Sequence, residues 1–334
     1  MPTPRTWPLL LLIGASCGAT LAGAEKAAPT ERPGWELVEE NALADLPVGD
    51  HTVLPKGEFA VYDGFFSTAK KGRWLARDVS VQDDPAAGRV VVLSGRLNED
   101  GSRDGGAFIW HGKNHQADGG GTTAESAVRW EYRTAFQPGN GFAGVSLSWP
   151  LLDRDWPLHG EIDIIEMYDG NRKDTGQTNI HLDSRKGSGA HDWFPKGERG
   201  KGLHYTGVDW SQWMDVACEW VPTRSIAVYC KRPAETRWRE LCRETDARWI
   251  PADGKHRLTF QMEFMDQTMP FAQGPVAWKF SRFAVYRPAG TAAAEARAKA
   301  AAEAKAKAEA KAAALAEARA QAAAAAETTP TEAH

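Results

Sequence analysis

The chain contains little cysteine, with four residues in 334. Three of them, Cys218, Cys230 and Cys242, lie beyond the N-terminal segment. So few cysteines exclude a small domain held together by disulfides, and their spacing matches no zinc site. Cys230 and Cys242 could face each other across a hairpin, leaving Cys218 buried and free. Three buried structural cysteines are the alternative.

The chain also lacks an excess of charge of one sign. Its 40 Lys and Arg residues nearly balance 44 Asp and Glu residues, for a formal net charge of −4. No basic face emerges, so nucleic acid and anionic membranes are poor partners. No apolar run is long enough to span a bilayer as a helix, so we expect no membrane insertion.

The N-terminal segment is the place where apolar residues do cluster. Residues 1–24 combine one basic residue, a short apolar run and the small-residue site Ala22–Ala24, which is typical of a secretory signal. Cys17 allows a lipoprotein alternative, but Gly14 stands where an aliphatic residue is needed. We expect a polar leader at 25–34 and a secreted or periplasmic protein.

The region 35–288 has no helical periodicity. Short alternating segments such as Val128, Trp130 and Tyr132 are separated by Gly, Asp, Asn and Pro clusters. Many short strands over this length predict one all-β domain, a two-sheet antiparallel sandwich.

Residues 289–334 change to alanine with Glu, Lys and Arg. Alanine is the best helix former, and a single helical tail over 292–326 is expected. Leu315 is the only large apolar residue of this helix, so the helix has no apolar stripe to pack against the domain. We therefore predict a solvated spacer on a monomeric protein. Self-association or contact with a cell wall is the alternative.

Residues 160–166 read Gly-Glu-Ile-Asp-Ile-Ile-Glu, with three carboxylates in six positions. On a strand Glu161 and Asp163 share one face, whereas strict alternation would place Glu166 on the apolar face. A β-bulge at Ile164–Ile165 would bring Glu166 beside the other two acids.

Three crowded carboxylates repel one another, so a fold that assembles them must protonate one, bind a cation or use them chemically. Glycoside hydrolysis needs one ionised carboxylate and one protonated carboxylic acid. A solvated edge strand and a calcium site are the alternatives.

The motif Glu161-x-Asp163-x-x-Glu166 resembles that of glycoside hydrolase family 16, in the laminarinase- and agarase-like form. The resemblance implies that Glu161 is the nucleophile, that Glu166 is the general acid/base and that Asp163 tunes the pair. It implies a concanavalin-like β-jelly roll with this strand on the concave sheet, and no metal or other cofactor.

Other segments are similar to the same family. Trp149 precedes the acid strand, His181 follows on the next strand, and 219–222 resembles a family turn and 283–286 its closing strand. Asn179 shares the face of His181. The resemblance gives His181 a place in the cleft, holding sugar hydroxyls or the catalytic carboxylates, and the shared face adds Asn179. A histidine of the core or rim is the alternative.

Tryptophan is abundant, with 14 residues. Trp130, Trp220 and Trp278 lie in alternating strands and are expected in the core. Indole rings also stack on sugar faces. Aromatic candidates for substrate binding are Trp149, Trp156, Tyr168 and Trp193. Gln261 and Glu263 share a face on a later strand and could also reach substrate.

The sequence therefore predicts an exported retaining endo-glycosidase that acts on a β-linked polysaccharide. Laminarin-type β-1,3-glucans or marine galactans are favoured over mixed-linkage glucan. Sulfated galactans usually require basic cleft residues, which favours the β-1,3-glucan, and an exopolysaccharide made by the same cell is an equal alternative. A catalytically inactive lectin-like sandwich and a transglycosylase using the same carboxylates are the alternatives.

Overall fold

The computed structural model describes most of the region predicted to form the domain. The described residues are 34–41, 43–66, 72–112, 122–123, 127–137, 142–150, 160–167, 175–182, 201–251, 255–264 and 276–290. The signal-like segment, the alanine-rich tail and the candidates Trp156, Tyr168 and Trp193 lie outside them.

The described residues form 20 β-strands and three short 3₁₀ helices. The strands, β1 to β20 in chain order, are Trp35–Asn41, Gly49–Asp50, Phe59–Val61, Phe65–Phe66, Gly72–Trp74, Val79–Asp84, Gly88–Leu97, Arg103–Gly105, Ala107–Trp110, Thr122–Thr123, Val128–Gln137, Phe142–Pro150, Glu161–Glu166, Thr175–His181, Lys201–Thr206, Met214–Val221, Ser225–Lys231, Arg239–Glu244, Lys255–Phe264 and Val276–Pro288. The 3₁₀ helices are His51–Val53, Ala76–Asp78 and Ala247–Trp249.

The strands build two sheets. The larger sheet has 12 strands in the order β18-β17-β16-β11-β20-β7-β8-β5-β4, with β1 beside β20, β6 beside β7 and β2 beside β6. The smaller sheet has eight strands in the order β15-β14-β13-β12-β19-β9-β3, with β10 beside β19. The neighbouring strands are antiparallel except β5 and β8. This confirms the predicted two-sheet jelly-roll sandwich.

The core lies between the two sheets and is rich in aromatic side chains. Trp130, Trp220 and Trp278 are at most 1% exposed, which confirms their predicted place in the core. The rings of Phe260 on the smaller sheet and Phe280 on the larger sheet have centroids 4.6 Å apart. Period-two alternation therefore sorts each strand into a core face and an outer face.

Within the described part of the chain, no helix is long and apolar enough to cross a membrane.

Cys218, Cys230 and Cys242 are free thiols in the structure, so of the two alternatives for these residues the disulfide between Cys230 and Cys242 is not formed. The hairpin register explains this. Cys242 lies opposite Val228, and Cys230 lies opposite Arg239, with a bulge between the two pairs. The register therefore does not bring the two sulfur atoms face to face, and a disulfide would require that they are.

We expect the unfolded protein to react with three equivalents of a thiol reagent when no reductant is present, counted on the chain without residues 1–24. Burial raises the pKa of all three thiols, so the folded protein should label slowly. Mass spectrometry after labelling in denaturant checks the count. A single labelled cysteine would show that a disulfide forms despite the register.

Candidate active site

The acid strand β13 contains the predicted bulge. On its β12 side Ser146 pairs with Ile165 and Leu147 pairs with Asp163, so Ile164 is the extra residue. On the β14 side the register shifts between Asp163 and Glu166. The bulge reverses the alternation and turns Glu166 to the face of Asp163.

This face of the smaller sheet points away from the larger sheet. Ser146 faces the core, since its Oγ lies 2.5 Å from the hydroxyl of Tyr132 on β11. Val145 and Leu147, on the opposite face of β12, pair with Glu166 and Asp163. We call the side of the smaller sheet that carries Glu161, Asp163 and Glu166 the acid face.

Gly160 starts the acid strand in a conformation that suits glycine. Its φ is +77°, in the left-handed region. A Cβ atom at this position would lie 2.4 Å from the ring of Pro251. Both constraints require glycine where the chain enters β13.

Strand β14 places one polar side chain opposite each acid. Its register pairs Glu161 with His181, Asp163 with Asn179, and Glu166 with Gln177. Because these β14 residues are two apart, their side chains share one face. Each acid therefore has a hydrogen-bonding residue directly across the strand pair.

Two amides hold one oxygen of Glu166. Asn179 Nδ2 donates a short hydrogen bond to Glu166 Oε2, and Gln177 Nε2 donates to the same oxygen at 3.1 Å. When the carboxyl group is protonated, the oxygen that accepts both N–H groups is its carbonyl oxygen. The arrangement places the proton of a neutral Glu166 on Oε1.

The pKa of the Glu166 carboxyl is raised well above its ordinary value. Burial is the main cause, because the residue is only 3% exposed. The negative charge of Asp163 raises the pKa further, and that of Glu263 adds to it. The donors Gln177 and Asn179 act in the opposite direction. Glu166 is thus a carboxylic acid at neutral pH.

His181 is tied to Asp163. The imidazole Nε2 lies 2.9 Å from Asp163 Oδ2. Burial lowers the pKa of His181, but the charge of Asp163 and this hydrogen bond outweigh it, so the net shift is upward. The contact with Asp163 therefore favours the imidazolium form of His181.

Strands β12 and β19 complete the acid face. Gln261 pairs with Val145, which in turn pairs with Glu166, and Glu263 is 8% exposed. Trp149 is partly exposed on the face of Val145, as its predicted role requires. The structure brings Trp149, Asn179 and His181 to the acid face. The aromatic candidates Trp156, Tyr168 and Trp193 lie outside the described residues, and their roles stay predictions.

Gln177 is the site residue that the sequence reading missed. The signal was present, because Gln177 precedes Asn179 by two positions on the same strand face. The pairing of Gln177 with Glu166 does not follow from this spacing, because the bulge and the register between β13 and β14 decide which residues meet.

The described residues include one group with the spacing of metal ligands. The ligand atoms of Glu161, Asp163 and His181 lie within 4.8 Å of one another. Two carboxylates and an imidazole suit a borderline ion such as Zn²⁺ or Mn²⁺ better than Ca²⁺, which takes oxygen ligands. The contact between Asp163 Oδ2 and His181 Nε2 engages two of these three residues without a metal.

Replacing Asn179 by Ala is expected to move the alkaline limb of the kcat/KM profile to higher pH. The amide of Asn179 favours the charged form of Glu166, so removing this amide raises the pKa of the Glu166 carboxyl further. The turnover number should fall about tenfold, the cost of one hydrogen bond to a group that becomes ionised.

Gln177→Ala should shift the limb in the same direction, and Gln82→Ala, an amide bonded to Ser80 on the larger sheet, should leave it in place. The measurement is initial rate against pH. A limb that stays in place in both site variants contradicts the assignment of these donors to Glu166.

Comparison with known proteins gives matches by structure alone. No family model and no curated protein sequence matches the chain. Among solved structures, the family 16 non-specific endo-β-1,3(4)-glucanase SCLam aligns with a TM-score of 0.57 at 15% identity, covering 77% of this chain and 92% of that one.

Two further glucanases superpose in the same way. The laminarinase of Rhodothermus marinus has a TM-score of 0.55 at 17% identity, covering 77% of this chain and 99% of that one. The endo-β-1,3-glucanase of Pyrococcus furiosus has a TM-score of 0.53 at 16% identity, covering 76% and 95%. The chain therefore has the laminarinase-like jelly-roll fold of glycoside hydrolase family 16.

Proposed function

We propose that this protein is an exported retaining endo-glycosidase that hydrolyses a β-linked glucan. One observation carries the proposal. A neutral, buried Glu166 shares a strand face with Glu161 and Asp163. One strand therefore supplies a protonated carboxylic acid, Glu166, and two further carboxyl groups beside it. A retaining glycosidase requires this division of protonation states.

In the first half of the reaction Glu161 attacks the anomeric carbon as the C–O bond to the leaving sugar breaks. Glu166 gives its Oε1 proton to the departing glycosidic oxygen. The products are a glycosyl ester on Glu161 and an ionised Glu166. Asn179 and Gln177 stabilise the new charge through their hydrogen bonds to Oε2.

In the second half Glu166 takes a proton from water, and the resulting nucleophile cleaves the ester. Glu161 leaves as a carboxylate and Glu166 is neutral again. Asp163 raises the pKa of Glu166 and therefore favours this return of the proton. His181 Nε2 lies against Asp163 Oδ2 and holds that carboxyl group in place beside Glu166.

The substrate proposal draws on the structural neighbours. Three of them are an endo-β-1,3(4)-glucanase, an endo-β-1,3-glucanase and a laminarinase. A β-1,3-glucan is therefore the first substrate to test. Export is proposed from the signal-like composition of residues 1–24.

Reducing-end release from laminarin, curdlan, lichenan, agarose and carrageenan tests the function. We expect activity on a β-1,3-glucan, with the β-anomer as the first product seen by NMR. Pretreatment with a chelator should leave the rate unchanged, since the proposed steps use carboxylates alone.

Three outcomes would overturn parts of the proposal. Binding to glycans without cleavage would indicate a lectin-like sandwich. Products longer than the substrate would indicate a transglycosylase, in which a sugar hydroxyl replaces water. Loss of activity on chelation, with recovery on adding Zn²⁺ or Mn²⁺, would make Glu161, Asp163 and His181 metal ligands.

A further inference from the structure

The β-bulge of the acid strand interrupts the hydrogen-bond ladder of the smaller sheet. Between the paired positions of β13, Ile164 has no partner residue on the described strand β12, and neither Ile164 nor Ile165 has one on the described strand β14. Both isoleucines are 0% exposed. A buried backbone carbonyl group needs a hydrogen-bond donor wherever the ladder is interrupted.

Thr178 on β14 lies opposite the bulge. It stands between Gln177 and Asn179, which pair with Glu166 and Asp163. At this point β14 therefore has one residue where β13 has two, which is the arrangement of a β-bulge. Because Gln177 and Asn179 point to the acid face, Thr178 points to the core, and it is 0% exposed.

The hydroxyl of Thr178 supplies a donor to the bulge. Thr178 Oγ1 donates a hydrogen bond to the backbone oxygen of Ile164 at 2.9 Å. Threonine is β-branched, so its χ1 angle is restricted and the hydroxyl is held in one direction. A side-chain hydrogen bond thus ties the extra residue of β13 to the neighbouring strand.

The larger sheet supports this hydroxyl from the other side of the core. Cys242 on β18 donates through its thiol to Thr178 Oγ1 at 3.2 Å. A hydroxyl group has a single proton to donate and can accept a second hydrogen bond. The thiol therefore occupies an acceptor position of Thr178 and leaves the proton for the backbone oxygen of Ile164.

The bulge decides where the carboxyl group of Glu166 lies. It turns Glu166 to the acid face, where Gln177 and Asn179, the neighbours of Thr178 along β14, donate to Oε2. A change in the bulge would move this carboxyl group relative to both donors. A displacement of about 1 Å can cost an enzyme about 10²-fold in rate. Glu161 lies on the regularly paired part of β13, opposite His181.

We propose that Thr178 is a positioning residue for Glu166. Its hydroxyl fixes the bulge of β13, and the thiol of Cys242 fixes the hydroxyl. Thr178 does not contact substrate, because it points to the core and not to the acid face. The inference rests on the proposed function in one respect, that Glu166 acts as the general acid/base.

Thr178→Val, which keeps the shape of the side chain and removes the hydroxyl, tests the inference. We expect kcat on laminarin to fall about 10- to 100-fold with KM unchanged. On an aryl β-glucoside whose leaving group needs no proton, the loss should be much smaller, because a misplaced general acid matters less there. Thr178→Ser restores the donor and should recover most of the turnover.

A matched control is Thr134→Val in the larger sheet. Thr134 is 1% exposed, and its hydroxyl also donates to a backbone oxygen, that of Lys279, at 2.9 Å. Both valine variants lose a buried hydroxyl, so thermal melts should show similar losses of stability. Thr134→Val should leave kcat unchanged, since its hydroxyl holds no part of the acid strand.

Cys242→Ala is a milder variant that keeps the test valid if Thr178→Val does not fold. Cys242 is partly exposed, and its thiol is a weak donor. We expect a smaller loss of kcat than in Thr178→Val, with the same difference between laminarin and the aryl glucoside. Cys242→Ser keeps a donor at this position and should retain the activity.

Hydrogen exchange gives a measurement that does not depend on activity. In Thr178→Val the peptide that covers residues 161–167 should exchange about tenfold faster, because the bulge opens locally more often. Thr134→Val should not change the exchange of this peptide. Mass spectrometry of the folded proteins, digested after exchange, provides the comparison.

Three results would overturn the inference. They are equal losses of kcat in Thr178→Val and Thr134→Val, equal losses on laminarin and on the aryl glucoside, and unchanged exchange of 161–167 in Thr178→Val. Failure of the proposed function is a separate result. If the unaltered protein cleaves no polymer, faster exchange confined to Thr178→Val still supports the hold of Thr178 on the bulge.

Discussion

Replacing Glu161 by Ala is expected to lower kcat/KM on the polymer on the order of 10⁴-fold or more, because the variant has no group to form the glycosyl ester. The fold should persist. Glu161 is one of three crowded carboxylates, and removing a negative charge relieves repulsion around Asp163. Polymer hydrolysis and a thermal melt measure the two effects.

Azide gives the sharper measurement on this variant. On an aryl β-glucoside with a good leaving group, azide can enter the space left by Glu161 and attack from that side. The expected product is an α-glycosyl azide, since only one displacement occurs. Glu240→Gln, an exposed acid on the larger sheet, should keep full activity. Full polymer activity in Glu161→Ala would assign the nucleophile elsewhere.

Replacing Glu166 by Gln is expected to reduce polymer hydrolysis about 10²- to 10⁴-fold, the usual contribution of a general acid. The loss should be much smaller on aryl glycosides whose leaving group needs no proton. Added azide should then give a β-glycosyl azide, the opposite anomer from the Glu161 variant, because Glu161 still forms the ester. An α-glycosyl azide from the Glu166 variant would mean that Glu166 is the nucleophile and Glu161 the general acid/base.

Glu166 also makes the stability of the unaltered protein depend on pH. The pKa of Glu166 is raised on folding, so the folded protein holds a proton that the unfolded chain releases above about pH 4.3. Below that pH the contribution is fully present. Above it, the free energy of unfolding falls as pH rises, by about 1.4 kcal/mol per pH unit for one proton, until the folded carboxyl ionises.

Glu166→Gln removes this proton and should remove the corresponding slope. Denaturant melts between pH 5 and 8 compare the two proteins, and the variant should gain stability relative to the parent as pH increases. Parallel curves would show that Glu166 is ionised in the folded protein. That result would contradict its assignment as the general acid.

The acid strand shows how far local pattern carries. Alternation in residues 160–166 was enough to predict a strand, and the misplaced Glu166 was enough to predict a bulge, because both follow from the two-residue period of a single strand. The core tryptophans followed from the same period. These predictions needed no knowledge of which strands pair.

The cysteines show where the pattern stops. Their spacing allows a cross-strand pair, but the register of the hairpin places Cys242 opposite Val228 rather than opposite Cys230, and a bulge between Val228 and Tyr229 adds one more residue of offset. Gln177 was overlooked for a related reason, since its partner Glu166 is chosen by the register between β13 and β14. A shift of one residue changes every such pair.

By itself the sequence determined the all-β class, the three-carboxylate strand with its bulge and the tryptophans of the core, because side-chain alternation is a property of each strand alone. The tertiary structure decided which side chains meet: the amides on Glu166, the imidazole on Asp163 and the thiols that form no disulfide. Those contacts join residues far apart in the chain, and strand register and sheet order, rather than local periodicity, bring them together.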